Sequence, residues 1–147
     1  MPRVIRPHAV FALFCAIVTL CLAAPVAADG DAPGGLSIEL NAQEQTERGC
    51  KLSFLARNGS GADIASAIYE TVLFDSTGQV NQLTLFDFGA LPTNKPRLRQ
   101  FVVPGLQCDA LGQVLINGAA TCEADAGADA CTSALTLTSR TGVEMMG

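Results

Sequence analysis

The cysteines are the residues best suited to covalent chemistry in this sequence. Six occur, and the four that lie beyond the first thirty residues are Cys50, Cys108, Cys122 and Cys131. An even set of this kind favours two disulfides formed in an oxidising compartment. A four-thiolate zinc site and a redox-active pair both normally use cysteines separated by two residues, and that spacing does not occur here.

Histidine is the residue whose scarcity excludes most chemistry. The single histidine, His8, lies in the N-terminal segment, so the sequence beyond residue 28 has none. Without an imidazole there is no Ser-His-Asp triad, no Cys-His pair and no histidine-ligated zinc or copper. The sequence also lacks a glycine-rich phosphate-binding loop. We therefore expect no cofactor, no metal and no enzymatic activity.

Carboxylates are the catalytic residue type that remains. Asp75 and Asp87 flank a predicted hairpin and Glu70 precedes it, so paired carboxylates acting on a glycan are the alternative function. Asp75 stands in an Asp-x-x-Gly sequence, where an aspartate usually caps its own turn. A second acidic group has spacing unlike an EF-hand, which favours a solvated loop over a calcium site. Its members are Glu123, Asp125 and Asp129.

One basic cluster is a candidate for binding a partner. Lys95, Arg97 and Arg99 alternate with Pro96 and Leu98, which places the two arginines on one face of a strand. This cluster is a possible docking site for an acidic partner, or a charged strand edge that blocks unwanted sheet pairing.

Phe86 and Phe88 also share a strand face, across Asp87. They are predicted to be core residues, and they would mark a binding patch only if exposed.

The N-terminal segment has the anatomy of a cleavable signal peptide. Arg3 and Arg6 precede an apolar run over residues 9–22, and small residues follow up to Ala28. The 14-residue run is short for a membrane-spanning helix, which needs about 20 residues. We predict a signal peptide at 1–28, a flexible leader at 29–35, and one domain at 36–147 that is periplasmic or secreted and has no membrane anchor after cleavage.

The charge of the remaining chain disfavours polyanionic partners. Removing Arg3 and Arg6 leaves seven basic residues against fourteen acidic ones, a net charge of −7. Phosphate backbones and anionic lipid surfaces repel such a protein, so no nucleic-acid partner is expected.

Short stretches of β-type alternation recur along the domain, separated by turn residues. They predict an all-β fold, an immunoglobulin-like two-sheet β-sandwich of about seven strands. In that strand order the strand of Cys50 pairs antiparallel with 98–103, and the last two strands form a hairpin. One turn of helix over 62–67 is an alternative for the start of the third strand. The predicted strands are 36–40, 50–56, 64–74, 80–88, 98–103, 113–117 and 134–139.

This strand order also predicts the disulfide connectivity. Cys50 opens one strand, and Cys108 closely follows the end of its antiparallel neighbour. Cys122 and Cys131 bracket the loop of the last predicted hairpin. We therefore expect Cys50 to bond to Cys108, and Cys122 to Cys131.

Two resemblances accompany this interpretation. The turn Asn58-Gly59-Ser60, the strand Val72-Leu73-Phe74 and the hairpin sequence Asp75-x-x-Gly78-x-Val80 resemble the middle of FxLYD-type bacterial immunoglobulin-like domains, over about 25 residues. The chain as a whole is similar to a group of uncharacterised small exported proteins of alphaproteobacteria. The segments that carry this second resemblance are Gly49-Cys50-x-Leu52-Ser53-Phe54, Leu83-Thr84-Leu85-Phe86-Asp87-Phe88-Gly89 and Val114-Leu115-Ile116-Asn117. It implies an exported location and no particular activity.

The function expected from the sequence is therefore a non-enzymatic periplasmic binding or assembly module whose partner is another envelope protein. The alternative is a carboxylate-dependent glycan hydrolase that lacks histidine. A small-ligand carrier is a third possibility, and it would need a sizeable apolar cavity between the sheets.

Overall fold

The computed structural model describes residues 34–147. The signal peptide predicted at 1–28, and residues 29–33 of the predicted leader, lie outside the described residues. The described part contains eight β-strands and two short 3₁₀ turns, at Cys108–Ala110 and Ala128–Cys131. The strands are β1 (Leu36–Thr46), β2 (Gly49–Asn58), β3 (Ile64–Asp75), β4 (Val80–Leu91), β5 (Arg97–Pro104), β6 (Leu111–Ala124), β7 (Thr136–Ser139) and β8 (Glu144–Met146).

The strands form two sheets of four. The first has the order β5-β2-β1-β7 and the second the order β4-β3-β6-β8. In each sheet the first three strands are antiparallel, and β7 and β8 are added parallel to β1 and β6. β2 pairs with β1 and β5, and β3 pairs with β4 and β6. This pairing is the immunoglobulin-like strand order. The predicted fold class is thus confirmed, with β8 as an additional strand.

Two details of the predicted topology are wrong. The strand predicted to stop before Gly118 continues to Ala124, because Gly118 pairs with Glu70 beside a register shift at Asn117. A glycine inside a strand often marks a bulge of this kind. The expected hairpin between β6 and β7 does not form either, since β7 crosses to the other sheet and pairs with β1.

Other expectations about strand pairing are confirmed. The strand of Cys50 pairs antiparallel with β5, and β3 and β4 form a hairpin. Because β3 begins at Ile64 as a strand, the alternative of a helical turn over 62–67 is wrong.

Aromatic side chains fill the centre of the space between the sheets. Phe86 and Phe88 of β4 are 3% and 0% exposed, so their predicted core position is confirmed. The rings of Phe86 and Phe101 stack with centroids 4.4 Å apart, and Phe54 packs against both phenylalanines of β4. Tyr69 packs edge-on against Phe88, and its hydroxyl donates a 2.7 Å hydrogen bond to the Cys131 carbonyl. These contacts join β2 and β5 of the first sheet to β3 and β4 of the second.

Both predicted disulfides are confirmed, Cys50–Cys108 and Cys122–Cys131. The first ties the start of β2 to the turn that leads into β6, and so links one sheet to the approach to the other. The second ties β6 to the turn that precedes β7. Within residues 34–147, no helix has the length and apolar character needed to cross a membrane.

Candidate interaction surface

The predicted catalytic carboxylates serve the backbone of their own hairpin. Asp75 accepts hydrogen bonds from the Thr77 hydroxyl at 2.6 Å, the Thr77 amide at 2.8 Å and the Gln79 amide at 3.0 Å. The bond from the Thr77 side chain and those from the turn amides lower the pKa of Asp75. Asp75 therefore stays ionised and caps its turn, which is the opposite of what a general acid requires.

Asp87 and Glu70 lie on an open sheet surface rather than in a cleft. Asp87 accepts the Gly89 amide at 2.7 Å, and Glu70 accepts a hydrogen bond from the Asn117 side-chain amide. Their strand partners are Ile68 and Leu85, so the two carboxylates are diagonal neighbours on the outer face of the second sheet. Since that face is open to water, the pair lacks the enclosed site in which paired carboxylates hydrolyse glycans.

A shallow pocket of about 280 Å³ contains two other carboxylates, Asp63 and Asp125, together with Arg97. Asp63 accepts the Thr93 amide at 2.7 Å, and hydrogen bonds from Thr93 lower its pKa. A lowered pKa again opposes a general-acid role. Among residues 34–147, no three His, Cys, Asp or Glu side chains are grouped as metal ligands.

The predicted basic cluster divides into residues with different environments. Arg99 lies on the inward side of β5 and reaches across to the second sheet, where its guanidinium donates to the carbonyls of Phe88 at 2.6 Å and Ala90 at 3.1 Å. Arg97 donates to the carbonyl of Pro96 and lines the shallow pocket, and Lys95 is exposed near Asp63. Arg99 thus joins the edges of the two sheets, and Lys95 and Arg97 remain the basic residues at the surface of this cluster.

The outer face of the first sheet is polar and charged. Lys51 pairs with Glu44 at 2.7 Å, and Arg140 pairs with Glu39 at 2.8 Å. Gln100 donates to the Ser53 hydroxyl at 2.9 Å. Leu98 is exposed on this face, where its strand neighbour is Leu55. This face is suited to contact with water.

One row of apolar side chains crosses all four strands on the outer face of the second sheet. The strand register aligns Leu83 of β4 with Val72 of β3, Val72 with Leu115 of β6, and Leu115 with Met146 of β8. We call these four residues the apolar row. Leu85 and Phe74 lie beside the row on the same face.

The positions next to the apolar row along each strand confirm that the row faces outward. Leu73 and Val114 are fully buried in the core, and Met145 packs against it. Successive side chains of a strand point to opposite faces, so Val72, Leu115 and Met146 face away from the core. Leu83 and Leu85 are 57% and 58% exposed. Within the row, Leu83 is exposed, Leu115 and Met146 are partly buried, and Val72 is only 9% exposed. The exposed apolar surface therefore lies at the β4 end of the row.

No protein-family model, curated protein or solved structure matches this chain. Its function is therefore inferred from the geometry of its surface.

The apolar row was not predicted from the sequence, although one signal for it was present. The segment Val72-Leu73-Phe74 is apolar on both faces of its strand. A strand that is apolar on both faces is typical of the centre of a sheet, and β3 is indeed central in its sheet. Recognising an apolar outer face also required the register of β4, β6 and β8, which local patterns do not contain.

Proposed function

We propose that this protein is a non-enzymatic binding or assembly module of the bacterial periplasm, and that it presents its apolar row to another envelope protein. The observation that carries the proposal is the contrast between the two outer faces. The outer face of the first sheet carries two ion pairs. The outer face of the second carries four apolar side chains aligned across all four strands, with Leu83 and the adjacent Leu85 more than half exposed at its β4 end. Contiguous apolar surface on a soluble domain usually marks an interaction site.

Two further features support this function. The two disulfides are typical of proteins outside the cytoplasm, and the signal-like N-terminal segment agrees with export. The carboxylates considered for catalysis are either caps of their own turns or members of an open surface, which gives the hydrolase no support. The aromatic rings between the sheets occupy the space where a carrier would hold its ligand.

Site-specific photocrosslinking in intact cells tests the proposal. A photoreactive residue is placed at Leu115 or at Met146, both on the apolar row and away from the edge strand β4. We expect both positions to give one adduct of the same mass with a second envelope protein, and Leu115→Asp to reduce the yield from Met146. Since Leu115 is partly covered, thermal melting must first show that the Asp variant is folded.

Leu98 provides the matched control. It is a leucine with 53% exposure on the outer face of the other sheet, so a nonspecific apolar contact would label it equally. The proposal fails if the row gives no adduct, or if Leu98 gives the same adduct with the same yield.

A further inference from the structure

The four sheet edges in the described part of the chain differ in their protection. β7 and β8 are edges of only four and three residues. β5 carries Arg97 and Arg99 and ends in Pro104. Short length, basic side chains and proline are the usual means by which edge strands avoid pairing with other chains. β4 has 12 residues and contains no Lys, Arg or Pro, so it lacks these protections.

On the side of β4 that faces away from β3, only alternate residues present their backbone N–H and C=O groups. The Asp75 amide donates to the Gln79 carbonyl at 2.8 Å and the Ser76 amide to the Ala110 carbonyl at 2.9 Å. Odd-numbered residues of β3 thus direct their backbone groups to β4, and even-numbered ones to β6. The partners of Leu73, Thr71 and Tyr69 are Gln82, Thr84 and Phe86. The intervening residues Leu83, Leu85 and Asp87 therefore direct their N–H and C=O groups to the free edge.

The open part of this edge has limits at both ends. Arg99 already occupies the carbonyls of Phe88 and Ala90. At the other end, a register shift opposite Leu73 and Phe74 interrupts the regular ladder at Asn81. The regular and uncapped stretch is 82–87, and the two exposed leucines lie within it.

This stretch is complementary to itself. If two copies of β4 meet antiparallel about a twofold axis at Thr84, Leu83 of each copy faces Leu85 of the other. Leu83 and Leu85 are also the residues whose backbone groups point outward, so these pairs are hydrogen-bonded ones. Asp87 is the one charged residue of β4, and its position lies opposite Asn81 of the second copy, just beyond the regular stretch, so no like charges oppose each other.

We infer that β4 pairs with β4 of a second copy of this chain, forming a continuous eight-stranded sheet across a symmetric dimer. The apolar rows of the two copies then lie on one shared face. The contact involves about five residues per chain, so we expect a reversible dimer with weak affinity, as is usual for small interfaces. The inference rests on the edge of β4 and does not depend on the proposed envelope partner.

Sedimentation velocity over a concentration series tests the dimer on protein purified from cells expressing the full chain. We expect a monomer–dimer equilibrium for the wild type. The L83K/L85K variant places lysine opposite lysine in both leucine pairs, and we expect it to weaken dimerisation by about tenfold or more. The L83E/L85K variant places glutamate opposite lysine in the same two pairs. We expect it to dimerise more tightly than L83K/L85K.

The charge-swap variant also tests the register, because any axis that pairs Leu83 with itself would set glutamate against glutamate. L98K is the control, and we expect it to dimerise like the wild type, since Leu98 has similar exposure on the other sheet. All the substituted leucines are more than half exposed, so the variants are expected to fold.

Hydrogen exchange provides a measurement that needs no substitution. The amides of Leu83 and Leu85 should become more protected as the wild-type concentration rises. Four outcomes would each overturn the inference. The first is a wild type that stays monomeric at all concentrations, including the case in which its β4 pairs with another protein. The second is an L83K/L85K variant that dimerises as tightly as the wild type, and the third is an L83E/L85K variant that dimerises as weakly as L83K/L85K. The fourth is amide exchange that does not depend on protein concentration.

Discussion

Raising the pH above 10 should destabilise this protein through a single side chain, Tyr69. Its side chain is fully buried and its hydroxyl is bonded to the Cys131 carbonyl. Burial raises the pKa of Tyr69 well above its ordinary value of 10. The unfolded chain releases this proton near pH 10, whereas the folded chain retains it. Above pH 10 the unfolded state therefore binds fewer protons, and the free energy of unfolding falls as the pH rises.

The size of the effect follows from this linkage. The stability that depends on a protonated Tyr69 is fully present below pH 10 and is lost as the pH rises toward the folded-state pKa. The slope approaches about 1.4 kcal/mol per pH unit, so the loss between pH 10 and pH 12 is about 2 kcal/mol.

The composition makes the assay specific, because the sequence has one tyrosine and no tryptophan. Tyrosinate absorbance therefore reports Tyr69 alone. We expect it to appear together with the loss of the β-sheet circular dichroism signal, in one transition. Urea unfolding at several pH values gives the slope, and Tyr69→Phe gives the contribution of the other titrating groups. Tyrosinate formation near pH 10 with the sheet signal intact would refute the argument.

Two further predictions concern the covalent and polar links between the sheets. Replacing both cysteines of Cys50–Cys108 by alanine should lower the free energy of unfolding by about 4 kcal/mol, and the same change at Cys122–Cys131 should lower it by just under 3 kcal/mol. The difference arises because the two bonds close loops of different length, with sequence separations of 58 and 9 residues. Urea unfolding measures both, and equal or reversed costs would contradict the loop-closure argument. Arg99→Lys should cost about 1–2 kcal/mol, because one ammonium cannot reproduce the contacts of the guanidinium to two carbonyls of β4. Arg97→Lys is the control, and its free energy of unfolding should change by no more than about 0.5 kcal/mol. Equal effects of the two substitutions would show that the hydrogen bonds from Arg99 to β4 do not stabilise the domain.

Local features were predictable from the sequence because alternation and turn residues act over a few positions. The β3–β4 hairpin and its Asp75 cap follow from the Asp-x-x-Gly turn, and the pairing of β2 with β5 follows from immunoglobulin-like order. The core positions of Phe86 and Phe88 follow from their alternation with Asp87.

Features set by distant contacts were not predictable. Which sheet receives β7 is decided by packing against β1, roughly a hundred residues earlier, and the β7 segment has no local pattern that indicates this choice. The bond between Cys122 and Cys131 was predicted correctly, but for a hairpin that does not form. At three residues, β8 is too short to give an alternation signal, and the apolar row depends on the register of four strands.

The parallel additions of β7 and β8 also bear on the order in which the two sheets can be completed. β7 joins β1 in the first sheet, where Thr136 pairs with Ser37, and β8 joins β6 in the second, where Glu144 pairs with Gln113. The C-terminal segment therefore completes one sheet and then the other. Contacts over such sequence distances form late and slowly, because much chain entropy is lost before they are made. A nascent chain would hold the β1–β2 and β3–β4 hairpins before either sheet is complete. Until β7 and β8 are added, β1 and β6 are themselves exposed edge strands, and the two short strands convert each of these edges into a much shorter one.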